Sequence, residues 1–313
     1  MDNKGFRTRR EESANYSSIF INGKTLRFAI DKNKPITELR WPEFFDVGIN
    51  SKCFAGCPTC YTSATSKGTN FPNIIEKINR FFGPMTLNQR AYQVALGGSG
   101  EATIHPDFIE VLKTFHDLQI VPNYTTNGMH LNDSIIEATI KFAGGVALSL
   151  HPQLEKIWRG ALNTLNEAKI RTNVHVIISD KESIDKFYQQ YNEFKDRTEY
   201  FVLLAYMSVG FGGGANSKLI DYDYFDKILK LIPDHSKLAF SSNFYKFLLN
   251  HKEYKVSVYQ PEAMSKYLIF NDKHDNMIPS IYNNSFECKP VNWENEMGCQ
   301  IKPIFASFSQ KNP

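Results

Sequence analysis

The chain has 313 residues, of which 42% are hydrophobic and 22% charged, enough to bury the core of an enzyme-sized domain with an appendage. No apolar run approaches the roughly eighteen residues of a membrane helix, and the charged start has no signal-peptide core. The net charge of +3 is too small to indicate nucleic-acid binding. Five cysteines, three of them in one short segment, favour a reducing compartment. We expect a cytoplasmic protein with no membrane partner.

The first forty residues precede the main domain. The basic cluster at residues 7–10 is interpreted as a solvated tail. Two short apolar stretches between residues 18 and 31 flank the dipeptide Asn22-Gly23, which is typical of tight turns. This pattern predicts a β-hairpin.

The main domain is predicted to alternate strands with helices from residue 41 onward. Six short apolar runs, many of them β-branched, are predicted as strands at residues 43–49, 92–96, 120–124, 145–150, 173–178 and 200–206. Helices are predicted at residues 73–82 and 222–231, and from near Pro106, Asn132, Gln153 and Lys181. The alternation indicates an α/β fold with a parallel sheet wrapped by helices.

Cys53, Cys57 and Cys60 follow the first predicted strand. Gly56 and Pro58 lie between them and disfavour a helix, so the spacing indicates a loop wrapped around a metal site rather than buried structural thiols. Because a four-iron cluster held by only three cysteines keeps one iron open, this loop predicts an exogenous ligand. Structural zinc is the alternative, although a closed zinc site needs four ligands.

A glycine-rich loop at residues 97–101 follows the second predicted strand. Ligands of βα architectures bind at the carboxyl ends of parallel strands, and glycines there allow the backbone to approach a ligand closely. An ordinary βα turn is the alternative. The polar residues Asn127 and Ser149 end the next two strands and are candidates for contact with the same ligand. A turn at Asn127-Gly128 and a strand cap at Ser149 are the alternative, structural interpretations.

Two histidines and one further loop complete the motifs of the main domain. His105 and His151 each precede a proline and are interpreted as structural rather than catalytic. The glycine-rich segment 208–216 is predicted as a hinge or a substrate-facing loop.

The segment from Cys53 to Tyr61, with the pattern C-x3-C-x2-C followed by tyrosine, resembles the cluster loop of the radical S-adenosylmethionine (SAM) enzymes. Members of that family share a partial barrel with this loop after its first strand. The resemblance implies a partial (β/α)6 TIM-like barrel at residues 41–215. A tail and hairpin at 1–40 would precede it, and a small α+β extension at 216–313 would follow.

The resemblance also implies the cofactors. Cys53, Cys57 and Cys60 would hold one [4Fe-4S] cluster, and SAM would bind its open iron. The glycine-rich loop resembles the family's "GGE" motif, which holds the amino group of SAM, although two residues here separate the glycine pair from the glutamate. The expected contacts to SAM are Tyr61, Gly97, Gly98, Glu101, Asn127 and Ser149.

Residues 267–280 resemble the SPASM or twitch extension of peptide-modifying radical SAM enzymes. That extension normally carries cysteines for auxiliary clusters, whereas Ser280 stands here where relatives tend to have cysteine. Only Cys288 and Cys299 remain, too few for a usual four-cysteine cluster. We predict a degenerate extension without a second cluster, in which both thiols are structural or substrate-side.

The resemblance implies a radical reaction. A low-potential electron donor such as flavodoxin or ferredoxin would supply an electron, SAM would be cleaved to a 5′-deoxyadenosyl radical, and this radical would take a substrate hydrogen. The extension favours a peptide or protein side chain as substrate. A nucleotide, a nucleic-acid base or a small metabolite is the alternative. A non-catalytic iron-sulfur or zinc-binding structural protein is the alternative of another class, and it leaves the glycine-rich loop unexplained.

Overall fold

A three-stranded antiparallel sheet comes first in the computed structural model, which describes residues 6–37, 39–214, 219–251, 253–254, 257–259, 265–269, 280–282 and 288–290. Its strands are Arg7–Glu11 (β1), Tyr16–Ile21 (β2) and Lys24–Ala29 (β3). Asn22 and Gly23 have positive φ angles of 50° and 75° in the turn between β2 and β3. An Asn-Gly pair readily adopts this conformation, and the predicted hairpin is confirmed.

The six predicted barrel strands are all present. They are Phe44–Gly48 (β4), Gln93–Leu96 (β5), Val121–Thr126 (β6), Gly145–Ser149 (β7), Thr172–Ile178 (β8) and Phe201–Ala205 (β9). The intervening and following helices are Ile74–Phe82 (α1), Phe108–Asp117 (α2), Asp133–Phe142 (α3), Glu155–Glu167 (α4), Lys181–Phe194 (α5) and Tyr222–Leu229 (α6). The side chains of Asn132 and Asp180 accept backbone N–H groups at the starts of α3 and α5, which explains where these helices begin.

The sheet continues beyond the sixth predicted strand. Leu238–Ser241 (β10), Tyr245–Asn250 (α7) and Ser257–Tyr259 (β11) follow in chain order, and both strands extend the parallel sheet past β9. Ser265–Ile269 (β12) pairs in parallel with β4 on the other side, and Ser280–Tyr282 (β13) and Cys288–Pro290 (β14) add antiparallel strands beyond it. The result is a curled, open half-barrel, so the predicted partial TIM-like barrel is confirmed with additional strands.

The division into residues 1–40, 41–215 and 216–313 stays a prediction. The degenerate SPASM-like extension also stays a prediction, because residues 270–279, Cys299 and the Cys288 side chain lie outside the described residues.

One hydrophobic cluster fills the layer between the half-barrel sheet and its helices. Successive strand residues point to opposite faces, so on β4 the side chains of Phe45 and Val47 join this cluster while that of Asp46 faces the concave side. Fully buried Phe82, Trp158 and other large side chains fill it from the helices. Within the described part of the chain, none of the helices has the length and apolar character needed to cross a membrane.

The basic cluster at residues 7–10 belongs to strand β1, so its interpretation as a solvated tail is wrong. Arg9 is only 6% exposed, and its guanidinium donates hydrogen bonds to the carbonyl oxygens of Trp41 at 2.6 Å and Arg90 at 2.5 Å. Arg7 donates to the carbonyl oxygens of Leu87, Arg90, Ala91 and Gln119. Most of these carbonyl groups lie just before β5 or β6, so β1 docks at the amino end of the barrel strands.

Glu43 fastens the same N-terminal sheet to the barrel. Its side chain is 2% exposed and accepts hydrogen bonds from the Tyr16 hydroxyl and, at 2.6 Å, from Nε of Arg27. Arg171 donates to the carbonyl oxygen of Asn22 at the hairpin tip at 2.8 Å. The N-terminal sheet therefore covers the amino end of the barrel, and the carboxyl end stays available for a site.

We predict that Arg9→Met lowers the free energy of unfolding by about 2–4 kcal/mol, because the carbonyl oxygen of Trp41 loses its charged donor in a buried place and that of Arg90 keeps only the donor from Arg7. Arg10→Met is the matched control: Arg10 lies on the same strand, but its ion pair with Glu12 is exposed. The control should change the free energy of unfolding by about 0.5 kcal/mol or less. Urea denaturation measures both variants, and equal losses would contradict the docking role of Arg9.

Candidate functional site

Cys53, Cys57 and Cys60 lie in the loop between β4 and α1, at the carboxyl end of the first barrel strand. All three are half-buried free thiols. Burial, followed by the charges of the other two cysteines, raises the pKa of Cys57 to about 11. Burial likewise raises the pKa of Cys53. Because thiolates gathered here are costly on their own, the donor set fits a positively charged metal group that offsets their charge.

The β9–α6 loop packs against the backbone of this cysteine loop. The backbone N–H of Phe211 donates to the carbonyl oxygen of Cys60 at 2.9 Å. Gly210 has a φ of +57°, and a Cβ there would lie 2.4 Å from the carbonyl oxygen of Tyr61. Part of the segment 208–216, which was predicted as a hinge or a substrate-facing loop, therefore supports the cysteine loop. Residues 215 and 216 of this segment lie outside the described residues.

The glycine-rich loop at residues 97–101 contacts the start of the cysteine loop. Gly100 has a φ of +63°, and a Cβ there would lie 2.3 Å from Oδ1 of Asn50 and 2.8 Å from the carbonyl oxygen of Lys52. The backbone N–H of Glu101 donates to that same Lys52 oxygen at 2.8 Å. Here a glycine allows two backbone segments to approach each other closely.

The carboxylate of Glu101 is buried, with 4% of the residue exposed. Oε1 accepts a hydrogen bond from the Thr103 hydroxyl at 2.6 Å, and Oε2 accepts one from the backbone N–H of Asn127 at 2.9 Å. Burial raises the pKa of Glu101, and these hydrogen bonds oppose that rise. Glu101 thus joins the carboxyl ends of β5 and β6, and its contact with a ligand amino group stays a prediction.

Asn127 extends this network to the cysteine loop. The residue is 3% exposed, and its Nδ2 lies 3.7 Å from Sγ of Cys53. Its Oδ1 accepts a hydrogen bond from the backbone N–H of Met129 at 2.9 Å. Asn127 therefore contacts a candidate metal ligand directly, while its contact with SAM stays a prediction.

The other expected SAM contacts lie at the ends of β4, β5 and β7. The Tyr61 hydroxyl donates to the carbonyl oxygen of Gly97 at 3.4 Å, so these two residues meet. A Cβ on Gly97 would lie 2.8 Å from Oγ1 of Thr125, and one on Gly98 would lie 3.0 Å from a backbone nitrogen of β4. Ser149 is half-buried at the last position of β7. All the expected contacts therefore surround the carboxyl edge of the half-barrel.

Two side chains that contact the cysteine sulfurs were not predicted from the sequence. Oγ1 of Thr62 lies 3.3 Å from Sγ of Cys60, and Nε2 of Gln153 donates to Sγ of Cys57 at 3.1 Å. Gln153 entered the sequence analysis only as a helix start. One feature of the sequence did indicate it: Gln153 closely follows the strand that ends near Ser149, a residue already expected to contact SAM.

Two of the three histidines of this region, His105 and His175, are buried. Nε2 of His105 bonds the carbonyl oxygen of Phe71 at 3.0 Å, and its Nδ1 accepts from the backbone N–H of Asp107 at 3.1 Å, which agrees with a structural role. Burial lowers the pKa of His151 to about 4. Burial, and then the charge of His151, lowers the pKa of His175 on β8 to about 4 as well. The structural interpretation of His151 stays a prediction.

A second group of possible metal ligands lies at α6. Oxygen or nitrogen atoms of Asp226, His251 and Glu253 all lie within 4.8 Å of one another. However, Lys230 forms an ion pair with Asp226 at 2.5 Å, and the Tyr254 hydroxyl donates to Asp226 at 2.7 Å. A cation here would compete with the ammonium group, so we interpret this group as a surface ion-pair network.

We predict that Gly100→Ala is much more harmful than Gly56→Ala. Both glycines have a φ near +60°, so both variants carry a backbone cost of about 1–2 kcal/mol. A Cβ on Gly56 meets nothing within 4 Å, whereas one on Gly100 overlaps Asn50. Compared with Gly56→Ala, Gly100→Ala should lower the free energy of unfolding by a further 1–3 kcal/mol, roughly. It should also bind less iron after reconstitution. Equal stability and iron content in the two variants would show that the close contact is unimportant.

We predict that His175 contributes to the pH dependence of stability. Its pKa of about 4 lies below the unfolded value of 6.5, so the unfolded chain binds more protons between these pH values and stability rises with pH across that window. His175→Gln should reduce the difference in unfolding free energy between pH 7 and pH 5 by about 2 kcal/mol. Urea denaturation at both pH values measures this, and an unchanged difference would contradict the shift.

Solved structures with similar folds include those of SuiB from Streptococcus suis. SuiB bound to the precursor peptide SuiA matches with a TM-score of 0.58 at 15% identity, over 74% of this chain and 58% of SuiB. SuiB bound to S-adenosylmethionine matches with a TM-score of 0.57 at 11% identity, over 86% of this chain and 66% of SuiB. No family model matches the chain, and neither does any curated protein. The chain thus has the partial-barrel fold of the radical SAM enzymes.

Proposed function

We propose that the protein is a radical SAM enzyme. It would cleave S-adenosylmethionine reductively at one [4Fe-4S] cluster to a 5′-deoxyadenosyl radical, which takes a hydrogen atom from the substrate. The observation that carries this proposal is the meeting of Cys53, Cys57 and Cys60 with polar strand ends at the carboxyl edge of the half-barrel. No fourth cysteine lies in this loop, which suits a cluster with one open iron.

A structural zinc site is less well supported by the spacing of the thiols. Two thiolates on one zinc ion, each about 2.3 Å from it, lie at most about 4.6 Å apart. Among the described residues, the only set of three possible ligands within 4.8 Å of one another is the group at α6. The three cysteine sulfurs do not form such a set, and the loop offers neither a fourth cysteine nor a histidine to complete a closed zinc site.

The residues of this chain would orient the cofactor and keep its surroundings ordered. We assign the contacts to Tyr61, Gly97, Gly98, Glu101, Asn127 and Ser149. Ser149 offers a half-buried hydroxyl at the end of β7. Ionised Glu101 has about four acceptor positions, so it can accept a bond from an ammonium group in addition to those from Thr103 and Asn127.

We further propose a peptide or protein side chain as the substrate. The similarity to SuiB, whose structure contains a bound precursor peptide, supports this choice over a nucleotide or small metabolite. The proposal includes a low-potential donor such as flavodoxin or ferredoxin in a reducing cytoplasm. It also includes a single cluster, with Cys288 and Cys299 in other roles.

Anaerobic reconstitution tests the reaction. We expect about four iron ions per chain and formation of 5′-deoxyadenosine with a strong reductant. Cys60→Ala should abolish 5′-deoxyadenosine, whereas the matched control Cys288→Ala should keep both the iron and the product. No product above the Cys60→Ala background would refute the radical reaction. About eight iron ions per chain would instead overturn the single cluster.

Deuterium transfer tests the substrate class. Peptides encoded beside the gene are prepared in fully deuterated form and incubated with enzyme, SAM and reductant. Deuterium in the 5′-deoxyadenosine product is expected, because the radical takes its hydrogen from the substrate. Product without deuterium from these peptides, together with deuterium uptake from a labelled nucleotide or metabolite, would favour the alternative substrate.

A further inference from the structure

Each cysteine sulfur of the candidate cluster site lies beside a polar side chain that is not a cysteine. Three such contacts, in order of increasing distance to sulfur, are Gln153 to Cys57 at 3.1 Å, Thr62 to Cys60 at 3.3 Å and Asn127 to Cys53 at 3.7 Å. The three donors come from different places in the fold. The site is thus surrounded by hydrogen-bond donors as well as by the motif backbone.

Gln153 reaches the cysteine loop from a separate strand end. It lies in the turn Pro152–Leu154 between β7 and α4. This turn is fixed because the backbone N–H of Leu154 and Nε1 of the fully buried Trp158 both donate to the carbonyl oxygen of His151, at 3.0 and 3.2 Å. The Gln153 side chain itself is exposed. A rigid turn therefore carries an accessible amide to the sulfur of Cys57.

These hydrogen-bond donors stabilise negative charge on the cysteine sulfurs. A cysteine that binds iron has no proton, so its sulfur only accepts, and the Thr62 hydroxyl must then be the donor to Cys60. An N–H or O–H directed at sulfur stabilises negative charge there. Reduction adds an electron to the cluster, so the donors favour the reduced form and raise its reduction potential.

We propose that Gln153 and Thr62 are positioning residues that raise the reduction potential of the cluster, with the larger effect from Gln153. Gln153 makes the shorter contact, and its donor is an unambiguous amide N–H. The inference rests on the proposed function only in requiring a cluster at Cys57 and Cys60. Asn127 is left out of the assignment because its side chain also accepts a hydrogen bond from the backbone N–H of Met129, so its replacement would change more than the contact with sulfur.

The consequence is easier reduction by the electron donor. Without the Gln153 amide, the cluster should be reduced less completely at any fixed potential. We expect Gln153→Leu to raise the ratio of oxidised to reduced cluster about fivefold at the wild-type midpoint potential. Gln153→Lys places an ammonium group near Cys57 and should change the ratio in the opposite direction.

The test is a potentiometric titration of the reconstituted protein, followed by the electron paramagnetic resonance signal of the reduced cluster. Gln189→Leu is the matched control, because it makes the same chemical change at an exposed position on α5. Iron content and thermal midpoint, measured on each variant, confirm that cluster and fold are retained. Opposite shifts for Gln153→Leu and Gln153→Lys, with none for Gln189→Leu, are expected.

Thr62 provides an independent readout. Thr62→Val keeps the shape and removes the donor, so it should lower the potential, whereas Thr62→Ser keeps a hydroxyl and should preserve it. Wild-type potentials in all the Gln153 and Thr62 variants, with full iron content and normal 5′-deoxyadenosine formation, would overturn this inference but leave the proposed function intact. Absence of an iron-sulfur signal in the wild type would instead contradict the proposed function.

Discussion

The hydrogen bonds of Glu101 are the constraint on which the candidate site depends. Its backbone N–H bonds Lys52, its carbonyl oxygen accepts from the Asn50 amide at 2.8 Å, and its buried carboxylate accepts from Thr103 and Asn127. One residue therefore joins the carboxyl ends of β4, β5 and β6. Since a buried carboxylate without partners is costly, these bonds fix the relative positions of the strand ends. The cysteine loop begins directly beside this junction.

Electrostatics then determines what the cysteine loop can hold. Burial raises the pKa values of Cys53 and Cys57, so the loop on its own disfavours the thiolates that a metal group needs. Iron would reverse that preference, and the amide of Gln153 adds a donor at the sulfur. The N-terminal sheet closes the opposite end of the barrel through Arg9 and Glu43. The charged residues that dock the N-terminal sheet and the cysteines of the candidate site thus lie at opposite ends of the barrel strands.

Local patterns in the sequence predict much of this arrangement. The six strands follow from short apolar runs, and the position of the glycine-rich loop follows from the βα alternation. The docking of Arg9 was not predictable, because its partners are backbone carbonyl groups that any residue supplies. Strand β12 is five residues long and pairs with β4 from far along the chain, so no local pattern indicates it. Gln153 was missed for a related reason, since its contact with Cys57 spans 96 residues.

The central claim is that three cysteines hold a four-iron cluster with one iron left open for SAM. The most direct measurement is the electron paramagnetic resonance spectrum of the reduced, reconstituted protein, recorded with and without SAM. A spectrum of a [4Fe-4S] cluster that changes on addition of SAM is the predicted result, because the iron without a cysteine then gains a ligand. A cluster spectrum that is identical with and without saturating SAM would contradict the account.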